Sequence, residues 1–404
     1  MDSKTKFSMM HIAAVIVMLC LGMASEGKPF FESSLIEPPD KLHNHGSCIV
    51  ELPNGDFLAS WYKGSGERKA DDVRIVGARL RRGARGWSTI FEMADFKGFP
   101  DCNAAMAVDK SGKLWLFWPL IIANRWETSL LMARSTTHYR LPGAPSWQWQ
   151  TPILFDPGDR FAEEIIAAVE QFKATLPEAA LGEVSKELDR VKEDAKDTYA
   201  RRMGWMPRSK PTVLPGGRFL LPLYSDRFSF GLVAISDDNG ENWTPSGPII
   251  SAGGVQPSIV WKKDGTLVAY LRDNGPAPKR ILRSESTDNG MTWSLSVDTE
   301  LPDPGAGVEA LRLRNGNWLM VNNDTEEGRH SLAARLSDDE GASWKWIRHL
   351  ELWEVDKGSA SYPSFIQGSD GSIHGTYSCK TEEQGGETIK HVHFNEEWVQ
   401  AGDQ

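Results

Sequence analysis

Tyr362 lies in the segment SASYPSFIQ, and it is the residue of this chain whose chemistry depends most on its surroundings. A tyrosine acts as a nucleophile or a proton donor only where neighbouring groups activate it, because its free pKa is near 10. Two groups of segments carry polar residues that could be those neighbours. Segments that precede apolar runs carry His43, His45, Asp101, Asn103, Arg208, Lys210, Gln256 and Glu309. Loops that follow such runs carry Asp71, Asp72, Arg272 and Arg329.

Acids, histidines, arginines and a tyrosine in one pocket suit acid–base or nucleophilic chemistry on an anionic sugar, because arginine binds carboxylates with paired hydrogen bonds. For Tyr362 itself, Pro363 favours extended backbone geometry. Strand alternation then sends Tyr362 and Ser364 to one side and Phe365 to the other. The sequence predicts that the Tyr362 hydroxyl lies in the pocket and not in the core.

An internal repeat predicts how these segments come together. The segments SDDNGENW (236–243), STDNGMTW (286–293) and SDDEGASW (337–344) share Ser, Asp, Gly and Trp at fixed offsets. Asp or Asn and Gly close tight turns, and the Trp can cover each turn. Weaker copies place tryptophans at Trp87, Trp147 and Trp398. Turns with glycine precede β-rich runs at Gly55, Gly112, Gly217, Gly265, Gly316 and Gly371.

Repeats of about 50 residues with four short strands are typical of propeller blades. We therefore predict an all-β fold, a six-bladed β-propeller, in which residues 32–37 supply a strand that closes the ring with the last blade. With both kinds of turn on the bottom face, the starts of the inner strands and the loops between second and third strands must share the top face. The candidate residues all lie in those top segments.

Two segments depart from the repeat. Residues 159–202 show apolar residues at helical spacing on both sides of Pro177, which predicts a helical hairpin inserted in blade 3, either as packing or as a lid. Residues 1–24 combine Lys4 and Lys6 with a short apolar run and small residues near Ala24, which is typical of a cleaved signal peptide. An uncleaved membrane anchor is the alternative. We expect a secreted or periplasmic protein whose propeller spans residues 28–404.

The composition of the chain restricts the classes of partner that the protein is expected to bind. The net charge is −10 and there is no basic block, which argues against nucleic acid or an anionic membrane as the partner. Cys48, Cys102 and Cys379 show no metal-ligand spacing and are expected to be buried thiols. We expect no cofactor and no metal, a glycan or oligosaccharide as the substrate, and a monomer.

At this point the chain resembles the sialidase superfamily, in particular a bacterial group of predicted sialidases with BNR repeats. The three S-x-D-x-G-x-x-W segments resemble that family's Asp-boxes. QPSIVWKKDGTLVAYLRDNG and GRHSLAARLSDDEGASW resemble the segments that hold carboxylate-binding arginines, which implies this role for Arg272 and Arg329. SYPSFIQGSDGSIHGTYS resembles the segment of the nucleophilic tyrosine, here Tyr362, and KADDVRI resembles the loop of the acid, here Asp71 or Asp72.

Two positions depart from the family pattern. Blade 1 has HNHGS where sialidases have an arginine, and Gln256 stands where they have the glutamate that activates the tyrosine. Since an amide is not a base, Glu309 is the best substitute, with Arg208 as a third arginine and Asp101 and Asn103 as further binding residues. The sequence predicts a retaining exo-glycosidase for a terminal, sialic-acid-type sugar.

Two other classes of function remain open at this stage. A uronic-acid lyase, or a related glycosidase, could use His43 or His45 with Tyr362 to move protons while arginines or Gln256 neutralise the carboxylate. A sugar-binding propeller without catalysis is the other.

Overall fold

The computed structural model describes residues 27–175, 178–381 and 385–403, and the predicted signal peptide lies outside them. The described residues form six antiparallel sheets, one for each predicted blade. Before blade 1 comes β1 (Phe31–Leu35). Blade 1 contains β2 (His43–Glu51), β3 (Phe57–Gly64), β4 (Arg74–Leu80) and β5 (Phe91–Ala94). Blade 2 contains β6 (Ala105–Val108), β7 (Leu114–Ile121), β8 (Ser129–Thr136) and β9 (Trp149–Pro152).

The remaining blades follow in chain order after three helices, α1 (Gly158–Thr175), α2 (Glu178–Lys196) and α3 (Thr198–Arg202). Blade 3 contains β10 (Met206–Pro207), β11 (Thr212–Val213), β12 (Phe219–Ser225), β13 (Phe230–Ser236) and β14 (Thr244–Pro245). Blade 4 contains β15 (Gly254–Trp261), β16 (Leu267–Asp273), β17 (Arg280–Ser286) and β18 (Val297–Pro302). Blade 5 contains β19 (Glu309–Arg312), β20 (Trp318–Asn322), β21 (Ser331–Ser337) and β22 (Trp346–Leu352). Blade 6 contains β23 (Gly358–Gln367), β24 (Ile373–Thr381) and β25 (Gly386–Phe394), and α4 (Glu396–Gln400) follows.

The ring closes as the sequence predicts. Strand β1 pairs antiparallel with β25, from Phe31 opposite Phe394 to Leu35 opposite Lys390, so the last sheet has the order β1-β25-β24-β23. The N-terminal strand is therefore the outer strand of blade 6. Phe31 also stacks on Trp398 of α4 with 4.6 Å between ring centroids. This pairing ties the two ends of the described chain together.

The Asp-box turns owe their shape to side-chain hydrogen bonds. Asp238 Oδ1 accepts from Ser236 Oγ at 2.8 Å and from Asn242 N at 2.9 Å. Ser236 Oγ accepts from Gly240 N at 2.9 Å, and Trp243 Nε1 donates to Gly240 O at 3.1 Å. Gly240 has φ 85°, a conformation that favours glycine. Each repeated residue type thus makes a defined hydrogen bond or turn, and all three turns join the last two strands of their blades.

The helical hairpin lies between the last strand of blade 2 and the first strand of blade 3. Its apolar face is buried: Phe161, Ile165 and Val191 are at most 6% exposed and belong to one cluster with Trp205 and Phe228 of the propeller. The described part of the hairpin therefore packs against the propeller. No described helix is long and apolar enough to cross a membrane. Cys48, Cys102 and Cys379 are buried free thiols, as predicted.

Candidate functional site

Bulges in three inner strands aim side chains at the axis. The register of β2, β15 and β23 shifts between His45 and Cys48, between Val255 and Ser258, and between Ser361 and Ser364. The residues inside these bulges are Gly46, Gln256 and Tyr362, with φ of 64°, 56° and 56°. A bulge redirects a side chain and bends its strand.

The extended geometry expected of Tyr362 is therefore wrong. The effect of Pro363 on its neighbour is outweighed by the bulge, which places Tyr362 in the left-handed region. Such a conformation costs a non-glycine residue about 1–3 kcal/mol and occurs preferentially at functional sites. The predicted position of the side chain is nevertheless confirmed, because Tyr362 lines a cavity while Phe365 lies in the core.

The Tyr362 cavity has a volume of about 410 Å³. Its walls come from the starts of inner strands and from the loops between second and third strands, so the predicted top face is confirmed. Arg68 pairs with Asp226 at 2.6 Å along one wall and stacks over Trp126, with 4.5 Å from its guanidinium carbon to the ring centroid. The lining residues are His45, Glu67, Arg68, Trp126, Tyr224, Asp226, Ser229, Val255, Gln256, Arg272, Asn274, Arg329 and Tyr362.

Three arginines surround Tyr362. Arg272 Nη1 donates a hydrogen bond of 2.5 Å to the Tyr362 hydroxyl and lies 3.5 Å from Gln256 Oε1. The guanidinium carbons of Arg208 and Arg329 lie 4.6 and 5.2 Å from the Tyr362 ring centroid. Burial raises the pKa of Tyr362, but Arg272, Arg329 and Arg208 together outweigh it and bring the pKa below its ordinary value of 10. The arginines therefore favour the phenolate, the nucleophilic form of the side chain.

The arginines differ in their freedom to meet a ligand. Arg329 Nη1 donates to Ser361 Oγ and Nη2 donates to Gly305 O, both at 3.2 Å. Arg272 and Arg329 both line the cavity, whereas Arg208 is only 3% exposed. Arg208 Nη1 reaches across the ring to Ser47 O of blade 1, at 3.4 Å. Positive charge thus reaches the side of blade 1, where no arginine occurs in HNHGS.

Glu67 is the carboxylate that sequence reasoning missed. It precedes Asp71 and Asp72 in the same loop, lines the cavity, and accepts a hydrogen bond from Tyr62 Oη. Asp71 instead contacts Asn124. Asp72 accepts bonds from Ser65 N at 2.9 Å and Ser65 Oγ at 2.6 Å. Both aspartates are exposed and lie outside the cavity lining, because Ser65 of the same loop holds Asp72 and Asn124 of blade 2 holds Asp71.

Glu309 forms an ion pair rather than a contact with Tyr362. Its Oε1 lies 2.7 Å from Lys210 Nζ, and the lysine also donates to Phe365 O. Glu309 is 3% exposed and lies outside the cavity lining. The charge of Glu309 is therefore balanced by Lys210, and the hydrogen-bond partner of the Tyr362 hydroxyl is Arg272.

The two histidines of blade 1 have different surroundings. His43 Nδ1 lies 2.7 Å from Glu387 Oε2. His45 lines the cavity, and its ring stands perpendicular to that of Tyr362 with 4.4 Å between centroids. Burial, followed by the charge of Arg329, lowers the pKa of His45 well below 6.5. His45 is therefore neutral at pH 7.

Asp101 and Asn103 support the site from blade 2. Asp101 is fully buried and accepts bonds from Trp118 Nε1 at 2.6 Å and Phe96 N at 2.7 Å. Burial raises the pKa of Asp101 to about 6. Asn103 Nδ2 donates to the hydroxyl of Tyr224, a cavity residue, at 3.0 Å. Asp101 thus fixes the inner end of blade 2, and Asn103 acts on the cavity through Tyr224.

Comparison with known proteins supports the repeats and the fold. Residues 196–374 match a family model described as a BNR repeat-like domain. A stretch of 83 residues is 39% identical to an anhydrosialidase from Macrobdella decora, but it covers only 20% of this chain and 10% of that protein. The chain thus spans a small part of this curated relative.

Solved structures resemble the whole propeller. A Dyadobacter fermentans protein of unknown function has a TM-score of 0.66 at 16% identity, covering 90% of this chain and 98% of its own. The NanB sialidase of Streptococcus pneumoniae has a TM-score of 0.66 at 12% identity, covering 91% and 71%. The intramolecular trans-sialidase of Ruminococcus gnavus has a TM-score of 0.64 at 13% identity, covering 89% and 95%. The chain thus contains BNR-like repeats and shares the six-bladed fold of these sialidase structures.

Proposed function

We propose that this protein is a sialidase-like exo-glycosidase that hydrolyses a terminal sugar bearing a carboxylate, with Tyr362 as the nucleophile. The observation that carries the proposal is the hydrogen bond from Arg272 to the Tyr362 hydroxyl in a cavity that Arg329 also lines. One group is activated for attack, and the same arginines are positioned to bind an anion.

Arg272 and Arg329 are the carboxylate-binding residues of the proposal. Guanidinium groups match the planar carboxylate with paired, charge-assisted hydrogen bonds. The cavity of about 410 Å³ is at the small end of ligand sites, which suits one terminal sugar better than the interior of a polysaccharide. When both arginines turn to the substrate, the buried Arg208 still places positive charge against the Tyr362 ring.

The activation of Tyr362 in this mechanism is electrostatic. Gln256 occupies the position where a base is expected, and Glu309 is paired with Lys210. The lowered pKa of Tyr362 replaces that base by increasing the phenolate fraction. The nucleophile attacks the anomeric carbon, and water later hydrolyses the glycosyl-tyrosine intermediate.

Retaining hydrolysis also needs an acid that protonates the leaving oxygen. We assign this role to Glu67, since it is the carboxylate of the expected acid loop that lines the cavity. Its partner Tyr62 is buried, and burial raises the pKa of Tyr62 well above 10, so that hydroxyl keeps its proton and serves as a hydrogen-bond donor to Glu67.

A second candidate is β-elimination from a uronic acid. The neutral His45, with its ring 4.4 Å from that of Tyr362, favours it. His45 would remove the proton next to the carboxylate, Arg272 and Arg329 would neutralise that carboxylate, and Tyr362 would protonate the leaving oxygen. This reaction needs no covalent intermediate.

Product analysis separates the two candidates. The purified protein is incubated with sialosides, uronic-acid polysaccharides and neutral rhamnosides, and products are identified by mass and by ultraviolet absorbance. A free acidic sugar, formed by wild type and lost in Tyr362→Phe, supports the hydrolase. An unsaturated uronate supports the lyase and contradicts the hydrolase. Binding without turnover of any acidic glycan contradicts both. We further propose, from the signal-peptide-like composition of residues 1–24, that the protein acts outside the cytoplasm, and we expect it to be a monomer.

A further inference from the structure

A row of ionisable side chains crosses blade 6 far from the Tyr362 cavity. Glu32 of β1 lies opposite His393 of β25, and His393 lies opposite His374 of β24. The β23–β24 turn adds Asp370 and Ser372 beside this row. Glu32, Asp370, His374 and His393 border a cavity of about 950 Å³ that is lined by residues of blades 6 and 1, and this cavity is larger than the Tyr362 cavity and lined by different residues. The proposed reaction uses none of them.

Three potential ligands converge on one point. Ser372 Oγ lies 2.8 Å from His393 Nε2 and 3.2 Å from His374 Nε2, and it donates to Asp370 Oδ1 at 2.6 Å. The ligand atoms of Asp370, His374 and His393 all lie within 4.8 Å of one another. Rotation of the partly exposed Ser372 side chain about its Cα–Cβ bond would move Oγ away and free the centre that these three groups surround.

A second layer of contacts orients both histidines. His374 Nδ1 lies 3.1 Å from His391 Nε2, and His393 Nδ1 lies 3.7 Å from Glu32 Oε2. Each Nε2 therefore lies near Ser372 Oγ while each Nδ1 faces another polar group, as in metal-binding histidines. The two rings are stacked, with 4.0 Å between centroids and 14° between planes, so a shared cation requires them to tilt apart. Phe57 of blade 1 stacks on His374 with 4.0 Å between centroids and holds the ring in place.

We propose that Asp370, His374 and His393 bind a late first-row divalent cation such as Zn²⁺. Two imidazole nitrogens and one carboxylate oxygen form a ligand set that suits zinc, and water from the adjoining cavity would complete the tetrahedron.

The site has a clear consequence for the fold. Its ligands come from the β23–β24 turn, from β24 and from β25, and β25 pairs with the N-terminal strand β1. Stacking on Phe57 connects it to blade 1. A bound cation would therefore fasten the closure of the ring, and ligand binding to the folded state alone raises its stability.

The test uses the full-length protein, freed of metal by a chelator and dialysis. Zn²⁺ binding is measured by calorimetry, and Co²⁺ binding by visible absorbance, which reports tetrahedral coordination. Thermal unfolding is followed with and without Zn²⁺. The variants are His393→Gln and Asp370→Asn, whose side chains are partly exposed, and the control is His349→Gln, a histidine that contacts Asp324 and Asp403 instead.

Wild type and His349→Gln should bind one Zn²⁺, show a tetrahedral Co²⁺ spectrum and melt at higher temperature with Zn²⁺. Loss of a ligand should weaken binding by at least the roughly 10–100-fold that loss of a supporting residue costs. The proposal is overturned if wild type shows no saturable binding, or if both ligand variants bind as wild type does. If wild type binds Zn²⁺ but its melting temperature does not change, the cation does not stabilise the closure of the ring.

Discussion

Replacing Arg272 with glutamine tests the double role of this arginine. The substitution removes the guanidinium that donates to the Tyr362 hydroxyl at 2.5 Å, while a polar side chain remains next to Gln256. Two effects should appear together. A carboxylate ligand should bind more weakly, and the pKa of Tyr362 should rise, because Arg272 contributes the largest of the charges that lower it.

The expected loss of affinity follows from the kind of bond removed. A hydrogen bond to a charged group contributes about 1.5–3 kcal/mol. With about 1.4 kcal/mol per tenfold change, the dissociation constant of an acidic sugar should increase by about 10- to 150-fold. The matching sugar with a carboxamide in place of the carboxylate should show a much smaller change, because it lacks the charge that Arg272 recognises.

The second effect is visible in an alkaline titration. Tyrosinate absorbance is recorded for wild type and for Arg272→Gln, and each curve is corrected with the same protein carrying Tyr362→Phe. The Tyr362 signal should appear at higher pH without Arg272. If turnover depends on the phenolate, its rise with pH should shift in the same direction.

The control for both assays is Arg125→Gln, which removes an exposed arginine paired with Glu127 outside the cavity. It should leave affinity and titration unchanged. An Arg272→Gln protein that binds the acidic sugar as tightly as wild type, and titrates Tyr362 at the same pH, refutes the assignment.

Three further substitutions test neighbouring parts of the structure. Glu67→Gln should lower kcat by about 10²–10⁴-fold on a natural glycoside, but much less on an aryl glycoside whose leaving group needs no proton; equal losses on both would exclude Glu67 as the acid. Lys210→Met leaves the buried Glu309 without its cation and should cost about 3–5 kcal/mol in urea unfolding, with recovery in the double variant that adds Glu309→Gln; a fully stable single variant contradicts the pairing. Burial raises the pKa of Asp101 from 3.8 to about 6, so the folded state retains a proton that the unfolded chain loses, and stability should fall as pH rises from about 4 to about 6. Asp101→Asn should flatten that fall, and an unchanged slope would show that other groups cause it.

The fold was predictable because its signals repeat. The Asp-box residues recur every 50 or 51 residues, and each makes a hydrogen bond that its own turn requires. The glycine turns mark the first hairpin of each blade. The helical hairpin interrupted the period and had helical spacing of its own, so its place was also readable. The Asp-box turns, the glycine turns and the helical hairpin are each determined by residues close together in the sequence, so the sequence pattern reveals them.

The site was predictable in its position but less so in its contacts. The top-face argument placed Tyr362, Arg272, Arg329 and Gln256 correctly around one cavity. The left-handed φ of Tyr362 was missed, because a bulge depends on pairing with the neighbouring strand. The partners of Glu309 and Asp72 were missed as well, since Lys210 and Ser65 meet them only in the folded chain.

The histidine cluster shows the same limit. Cysteine spacing predicted no metal site, and the relevant signal was the alternation of His391 and His393, which places both on one face of β25. That pattern alone does not reveal a site. Only the pairing with β24 and β1 brings His374 and Glu32 beside it.

The most direct test of the central claim is a search for a sugar bound covalently to Tyr362. An acidic-sugar donor with a good leaving group and a neighbouring fluorine slows both steps of a retaining glycosidase and allows the intermediate to accumulate. Peptides from the quenched protein are then sequenced by mass spectrometry. Our account predicts one added sugar on Tyr362, absent when the donor is first competed away by an acidic ligand. A donor that is consumed while Tyr362 stays unmodified would contradict it.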